Sequence, residues 1–151
     1  MSTATGLAPQ SPVISKGIVT ALIANLIWIN ASEVFRYFVF VMPMMRAELP
    51  MVPDVAPMNL PVFLIWGVWD TILIGAAVFF QCLMFDRYGL NARTAILAGS
   101  LLWLGIFGIL WLGLWNMNLT SLSILAVALP LAWAELLISA LLTRWCLVRH
   151  R

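Results

Sequence analysis

In the stretch NASEVFRYF, Asn30 to Phe38, a glutamate and an arginine stand three residues apart inside a long apolar run. Glu33 and Arg36 are close enough on one helix to form an ion pair, because i and i+3 side chains are neighbours. Two further acids lie inside other apolar runs: Asp70 in WGVWDTILIG and Glu135 in PLAWAELLIS. With all four groups ionised the set carries a net charge of −2. In a medium of low dielectric that is strongly disfavoured. At least one carboxyl is therefore expected to hold a proton near neutral pH, or a cation to bind. Such groups serve ion, proton or ligand handling, or else lock one helix to another.

The runs that carry these groups define the class of molecule. Of 151 residues, 64% are hydrophobic and 9% are charged, with a mean hydropathy of +1.03. A soluble domain has roughly a quarter charged residues, so this composition calls for a bilayer. Four spanning helices are expected at about 17–42, 60–84, 94–115 and 122–146 of the chain. They form a single membrane domain over about 17–147, an all-α, four-transmembrane-helix antiparallel bundle. Residues 1–16 read as a disordered tail and 148–151 as a basic end. The segment at about 43–59, with Pro50, Pro53 and Pro57, reads as an extended loop, since proline removes a backbone donor. Lys16, Arg87, Arg93, Arg144, Arg149 and Arg151 fall on one side of this scheme and Arg46 on the other. The positive-inside rule then places both termini in the cytoplasm, as in a bacterial inner-membrane protein.

On a helical wheel Asn25, Asn30, Ser32, Glu33, Arg36 and Tyr37 occupy an arc of about 160°. Ala24, Ile27, Trp28, Ala31, Val34, Phe35, Phe38 and Val39 occupy the other side, which suits lipid. A charge in hydrocarbon costs about 2.5–3.5 kcal/mol even on the lenient insertion scale, so the polar arc must face protein or water. In the second helix Gly67, Thr71 and Gly75 make a small-residue seam bordering Asp70, suited to close helix packing and a candidate dimer surface. In the fourth, Ala128, Ala132, Glu135 and Ser139 share a side. Pro130 should free the carbonyl of Ala126, kink that helix and offer a further oxygen. Glu33, Arg36, Asp70, Glu135, Asn30 and Asn25 are the candidate ion- or ligand-binding residues.

Aromatic side chains form a second constellation. Trp103, Phe107, Trp111 and Trp115 recur every four residues in the third helix. Trp103 and Trp111, with Trp66, are candidates to line a hydrophobic ligand site, against the ordinary role of packing and interfacial anchoring. Met42, Met44, Met45 and Met51 cluster near the loop; thioethers suit Cu(I), although adaptable apolar packing is their commoner use. Cys82 and Cys146 form no CxxC pair and His150 is the one histidine, so zinc, disulfide and bis-histidine haem sites are not indicated. No cofactor is expected, and no nucleic-acid partner.

The stretch ILAGSLLWLGIFG, with the layout after it, resembles small four-helix bacterial membrane proteins of uncharacterised families, a likeness that implies no activity. Multidrug exporters with one key glutamate in helix one are another comparison. This chain departs from them in Arg36, the longer outer loop and the additional acids. Proton-coupled transport or binding of a small cation or amphipathic ligand, in a homo-oligomer, is the leading expectation. The alternatives are an accessory subunit of a larger membrane complex and an intramembrane enzyme acting on a lipid or isoprenoid by acid catalysis. No nucleophile–base pair or phosphate loop is present to support other chemistry.

Overall fold

A computed structural model of the chain describes residues 16–150. The tail expected over the first fifteen residues lies outside them, as does Arg151. Among the described residues every regular element is helical: α1 Lys16–Glu48, α2 Leu60–Tyr88, α3 Ala92–Asn116 and α4 Leu122–Arg149. All four are long and apolar enough to cross a membrane. Even α3, with 25 residues, rises about 37 Å against a hydrocarbon core of about 30 Å.

The helix ends are set by short polar residues. Asn59, Asn91 and Ser121 each accept a hydrogen bond from the backbone N–H three residues on, satisfying one orphan donor of the first turn. Gly89 ends α2 at φ +89°, where a Cβ would be strained. The helices close into a ring in which α1 packs on α2 and α4, and α3 packs on α2 and α4. At one end Gly17 lies against the backbone of Cys146 and Leu147. At the other, Ser121 and Ser123 donate to the Glu48 carboxylate. These two contacts make α1 antiparallel to α4. The first end carries Lys16, Arg87, Arg93 and Arg149 and is the basic end; the second carries residues 49–59 and is the loop end.

In lipid the apolar face of a helix gains little from leaving its surroundings, so close backbone approach and interhelical hydrogen bonds matter most. Buried α4 positions illustrate this: Ala128, Ala132, Ser139, Ala140 and Thr143 are all small. Gly99 of α3 lies so near that a Cβ there would sit 2.7 Å from the Leu136 carbonyl oxygen. Gly105, on the same helix, has nothing within 4 Å. Gly99→Ala should therefore destabilise the bundle by about 1–3 kcal/mol, the usual cost of overpacking. Gly105→Ala should be neutral or slightly stabilising. Unfolding by SDS titration from mixed micelles compares the two, and equal midpoints would contradict the packing described.

Several expectations are corrected. The first helix does not stop near residue 42 but continues to Glu48. Pro43 is tolerated because it enters the first turn after a widened, π-type segment, Tyr37–Val41. A second widened segment spans Trp103–Gly108 in α3. The Gly67–Thr71–Gly75 seam is not packed within the chain: Gly67 and Thr71 are exposed, and a Cβ at Gly67 or Gly75 would meet nothing within 4 Å. Ala126 and Pro130 lie on the exposed face of α4, turned away from Glu135, so the freed carbonyl does not join the acids. Trp28 is half-buried and donates to the Glu135 backbone carbonyl at 3.0 Å, at the edge of the lipid-facing arc rather than within it.

Candidate functional site

The polar arc of α1 turns inward. Ala21, Asn25, Ile29 and Glu33 are buried at four-residue intervals, and Arg36 follows. Ile27, Val34, Phe35, Phe38 and Val39 are exposed on the other side. The Arg36 guanidinium donates from Nη2 to Glu33 Oε1 at 2.8 Å. Its Nη1 lies 3.6 Å from Glu135 Oε2 of α4, an ion pair too long to be a hydrogen bond. Arg36 also stacks on Phe107 of α3, 4.9 Å from the ring centre. The second Glu33 oxygen accepts from the Trp66 indole of α2 at 3.1 Å. One guanidinium thus ties α1, α3 and α4 together, and Glu33 links it to α2.

Asp70 and Glu135 are more deeply buried than the ion pair, at 2% and 1% exposure. Asp70 Oδ1, both Glu135 carboxylate oxygens and Arg36 Nη1 are buried without a hydrogen bond in the structure. Asp70 feels the charges of Glu33 and Arg36, and Glu135 those of Arg36, Glu33 and Asp70. The four groups are one electrostatic cluster containing one cation.

Four spaces meet at this cluster, the smallest of them, about 10 Å³, between Glu33 and Glu135. The largest, about 450 Å³, lies toward the loop end. Glu33, Arg36 and Tyr37 form its polar edge, and Trp66, Trp69, Phe107 and Trp111 its aromatic walls; Pro57 and Met58 of the loop border it. A second space, about 320 Å³, is a groove between α1 and α4 reaching Ser32, Arg36 and Glu135. The third, about 30 Å³, lies between Asn30, Glu33 and Asp70. Volumes of several hundred Å³ with apolar walls and a few polar groups suit drug-sized ligands.

Of the residues singled out in the sequence, Glu33, Arg36, Asp70, Glu135 and Asn30 come together. Asn25 does not, lying eight residues, about 12 Å of rise, toward the basic end. It donates to Thr143 Oγ1 at 2.9 Å. Thr143 in turn donates to Gln81 Oε1 at 2.5 Å, and Gln81 donates to Ser139 Oγ at 3.0 Å. This buried amide–hydroxyl chain joins α1, α2 and α4 as interhelical glue. Trp66 and Trp111 line the large cavity, whereas Trp103 packs in the core and donates to the Leu129 carbonyl at 2.9 Å. Met42, Met44 and Met45 belong to the last turns of α1, not to a loop, and Met51 is 89% exposed.

Sequence reasoning missed Gln81, Trp69 and the Trp66–Glu33 bond. Gln81 had one visible signal: a lone amide in the apolar run VFFQCLMF, eleven residues after Asp70 and so on the same face. Trp69 sits beside Asp70 in the chain, but nothing in the sequence shows which wall it reaches. No family model, curated protein or solved structure matches this chain.

Proposed function

We propose that the chain is an integral membrane protein with both termini in the cytoplasm, where the basic end lies, as in a bacterial inner membrane. Its role is to bind an amphipathic organic cation in the large cavity and exchange it against protons. One observation carries this reading: a cavity of about 450 Å³ walled by indoles has the Glu33–Arg36 pair at its edge, inside a cluster with more acids than bases. The indole and phenyl faces attract a cation within about 6 Å of the ring centre. Glu33 is the carboxylate at the cavity's edge, the surplus acids Asp70 and Glu135 act on it only from outside the lining, and the apolar walls accept the hydrophobic body. Glu135, without a hydrogen bond of its own and reached from the α1–α4 groove, is the group that exchanges the proton.

The test is binding of radiolabelled tetraphenylphosphonium to the protein in nanodiscs. Saturable binding is expected, weakened about tenfold or more by Trp111→Leu through loss of a cation–π wall and its apolar contact. Trp115→Leu, on the exposed end of the same helix, should leave it unchanged. Equal binding by all three proteins would sink the proposal.

A second reading, a subunit of a larger assembly, is favoured by the outward seam of Gly67, Thr71 and Gly75, which none of the described helices fills. Native mass spectrometry from lipid, without detergent exchange, separates the two. A stoichiometric second protein supports the assembly reading; a homo-oligomer supports transport.

A further inference from the structure

Asp70 stands apart in the cluster because its charge has no direct partner. Glu33 is bonded to Arg36, and Glu135 faces the same guanidinium at 3.6 Å. Asp70 has neither a hydrogen bond nor an ion pair in the structure, although it is 98% buried by its 2% exposure. It does border a space. The cavity of about 30 Å³ between α1 and α2 is lined by Asn30, Glu33 and Asp70, with Gly67 and the aromatic rings of Phe63 and Trp66 around them. Room for one water centre takes roughly 10–15 Å³, so this volume holds one or two small occupants and no organic ligand.

The donors around it are hard. Two are carboxylates, and the third is an amide whose Nδ2 already donates to the Leu26 carbonyl at 2.8 Å, leaving Oδ1 as an acceptor. Oxygen donors of this kind suit alkali and alkaline-earth ions rather than copper or zinc. The number of ligands and the local charge then choose between those two classes. Ca²⁺ takes about 6–8 oxygens, more than two carboxylates and one amide provide, and Mg²⁺ keeps several of its waters, for which a space of about 30 Å³ has no room. The uncompensated local charge is that of Asp70 alone, which one unit of positive charge neutralises. We propose that the pocket between Asn30, Glu33 and Asp70 is a site for one small monovalent cation, Na⁺ or Li⁺. The site does not depend on the ligand cavity having the occupant proposed for it. Because Glu33 borders both spaces, an ion here would stiffen the edge of the larger one.

The experiment is ²²Na⁺ binding to the protein in nanodiscs at pH 8, where protons compete least, with no organic cation present. Saturable binding near one ion per chain is expected, displaced by unlabelled Li⁺. Asp70→Asn should weaken it at least about tenfold and Asn30→Ala several-fold, whereas Asp86→Asn, exposed at the basic end of α2, should leave it unchanged. Absence of saturable ²²Na⁺ binding to the wild type overturns the proposal, as does unchanged binding in Asn30→Ala together with Asp70→Asn. If Asp70→Asn fails to fold by size exclusion, the wild type and Asn30→Ala decide it alone. Tetraphenylphosphonium binding measured in parallel keeps the two sites distinct: loss of one signal with retention of the other assigns the failure to the corresponding site.

Discussion

Arg36→Ala should be the most damaging single substitution in this protein, lowering stability by about 3–5 kcal/mol, because it strands buried charges that lose their only cation. The guanidinium meets Glu33 at 2.8 Å, Glu135 at 3.6 Å and the Phe107 ring at 4.9 Å. Removing it exposes two carboxylates to each other in a medium that solvates neither, and leaves a gap where three helices meet. The electrostatic part of that loss can be separated from the packing part. Glu33→Gln with Glu135→Gln, added to Arg36→Ala, removes the stranded charges while nearly keeping their shape. Most of the loss should then be recovered, as is usual when all members of a buried ion cluster are neutralised together. SDS titration from mixed micelles reads both outcomes. An Arg36→Ala protein as stable as its parent would mean that the cluster does not hold the bundle together.

The second large effect concerns turnover rather than stability. Glu135→Gln should leave tetraphenylphosphonium binding near its wild-type level, since Glu135 does not line the large cavity. Proton-driven uptake into proteoliposomes should nevertheless fall by about a hundredfold or more, the scale on which a positioned proton-transfer group acts. Glutamine keeps the volume but carries no exchangeable carboxyl proton. Exchange of labelled for unlabelled probe without a pH gradient should be less affected, which distinguishes a coupling defect from a blocked path. Glu33→Gln differs, because Glu33 borders the cavity and holds Trp66 through its second oxygen; both binding and uptake should suffer. If Glu135→Gln and Glu33→Gln each keep full proton-driven uptake, the mechanism proposed here is wrong.

Four apolar helices were legible because length and composition alone decide whether a segment can cross a bilayer. The inward faces were legible where polarity marked them. Asn25, Glu33 and Arg36 on α1, and Ala128, Ala132, Glu135 and Ser139 on α4, are all buried. Whether the α2 seam packs within the chain was not legible, for a physical reason. Small residues permit close approach, but they do not say which helix approaches. On α2 the buried residues Asp70, Ile74, Ala77, Val78, Gln81 and Phe85 define the inner face, and the seam centres about 70° round from it. Trp103 and Trp111 were equivalent in the sequence, eight residues apart on one stripe. The structure separates them by what lies opposite: a backbone carbonyl of α4 for Trp103, an open cavity for Trp111. That distinction comes from tertiary packing, which periodicity does not encode. The widened turn at WLGIFG was invisible for a similar reason, since it contains no residue that forbids ordinary winding, whereas the one at YFVFV had a signal in Pro43, which opposes ordinary winding at Val39.

Those turns have a consequence for how this chain tolerates changes in length. In Tyr37–Val41 the N–H of Met42 reaches back five residues, to the Tyr37 carbonyl, instead of four. In ordinary winding Val41 would lie about 140° round from Arg36, yet both are buried. One surplus residue is thus stored in the helix as a bulge, between the Glu33–Arg36 pair and the segment that carries Glu48 to its serines. Loss of a single codon there would be absorbed by restoring regular winding: Arg36 and Val41 would then stand four residues apart, about 40° round, and the two parts of the helix would keep their facing. The first helix is therefore two registers joined end to end. One is set by the charged cluster, the other by the loop end, and the bulge between them lets one residue be lost without turning either.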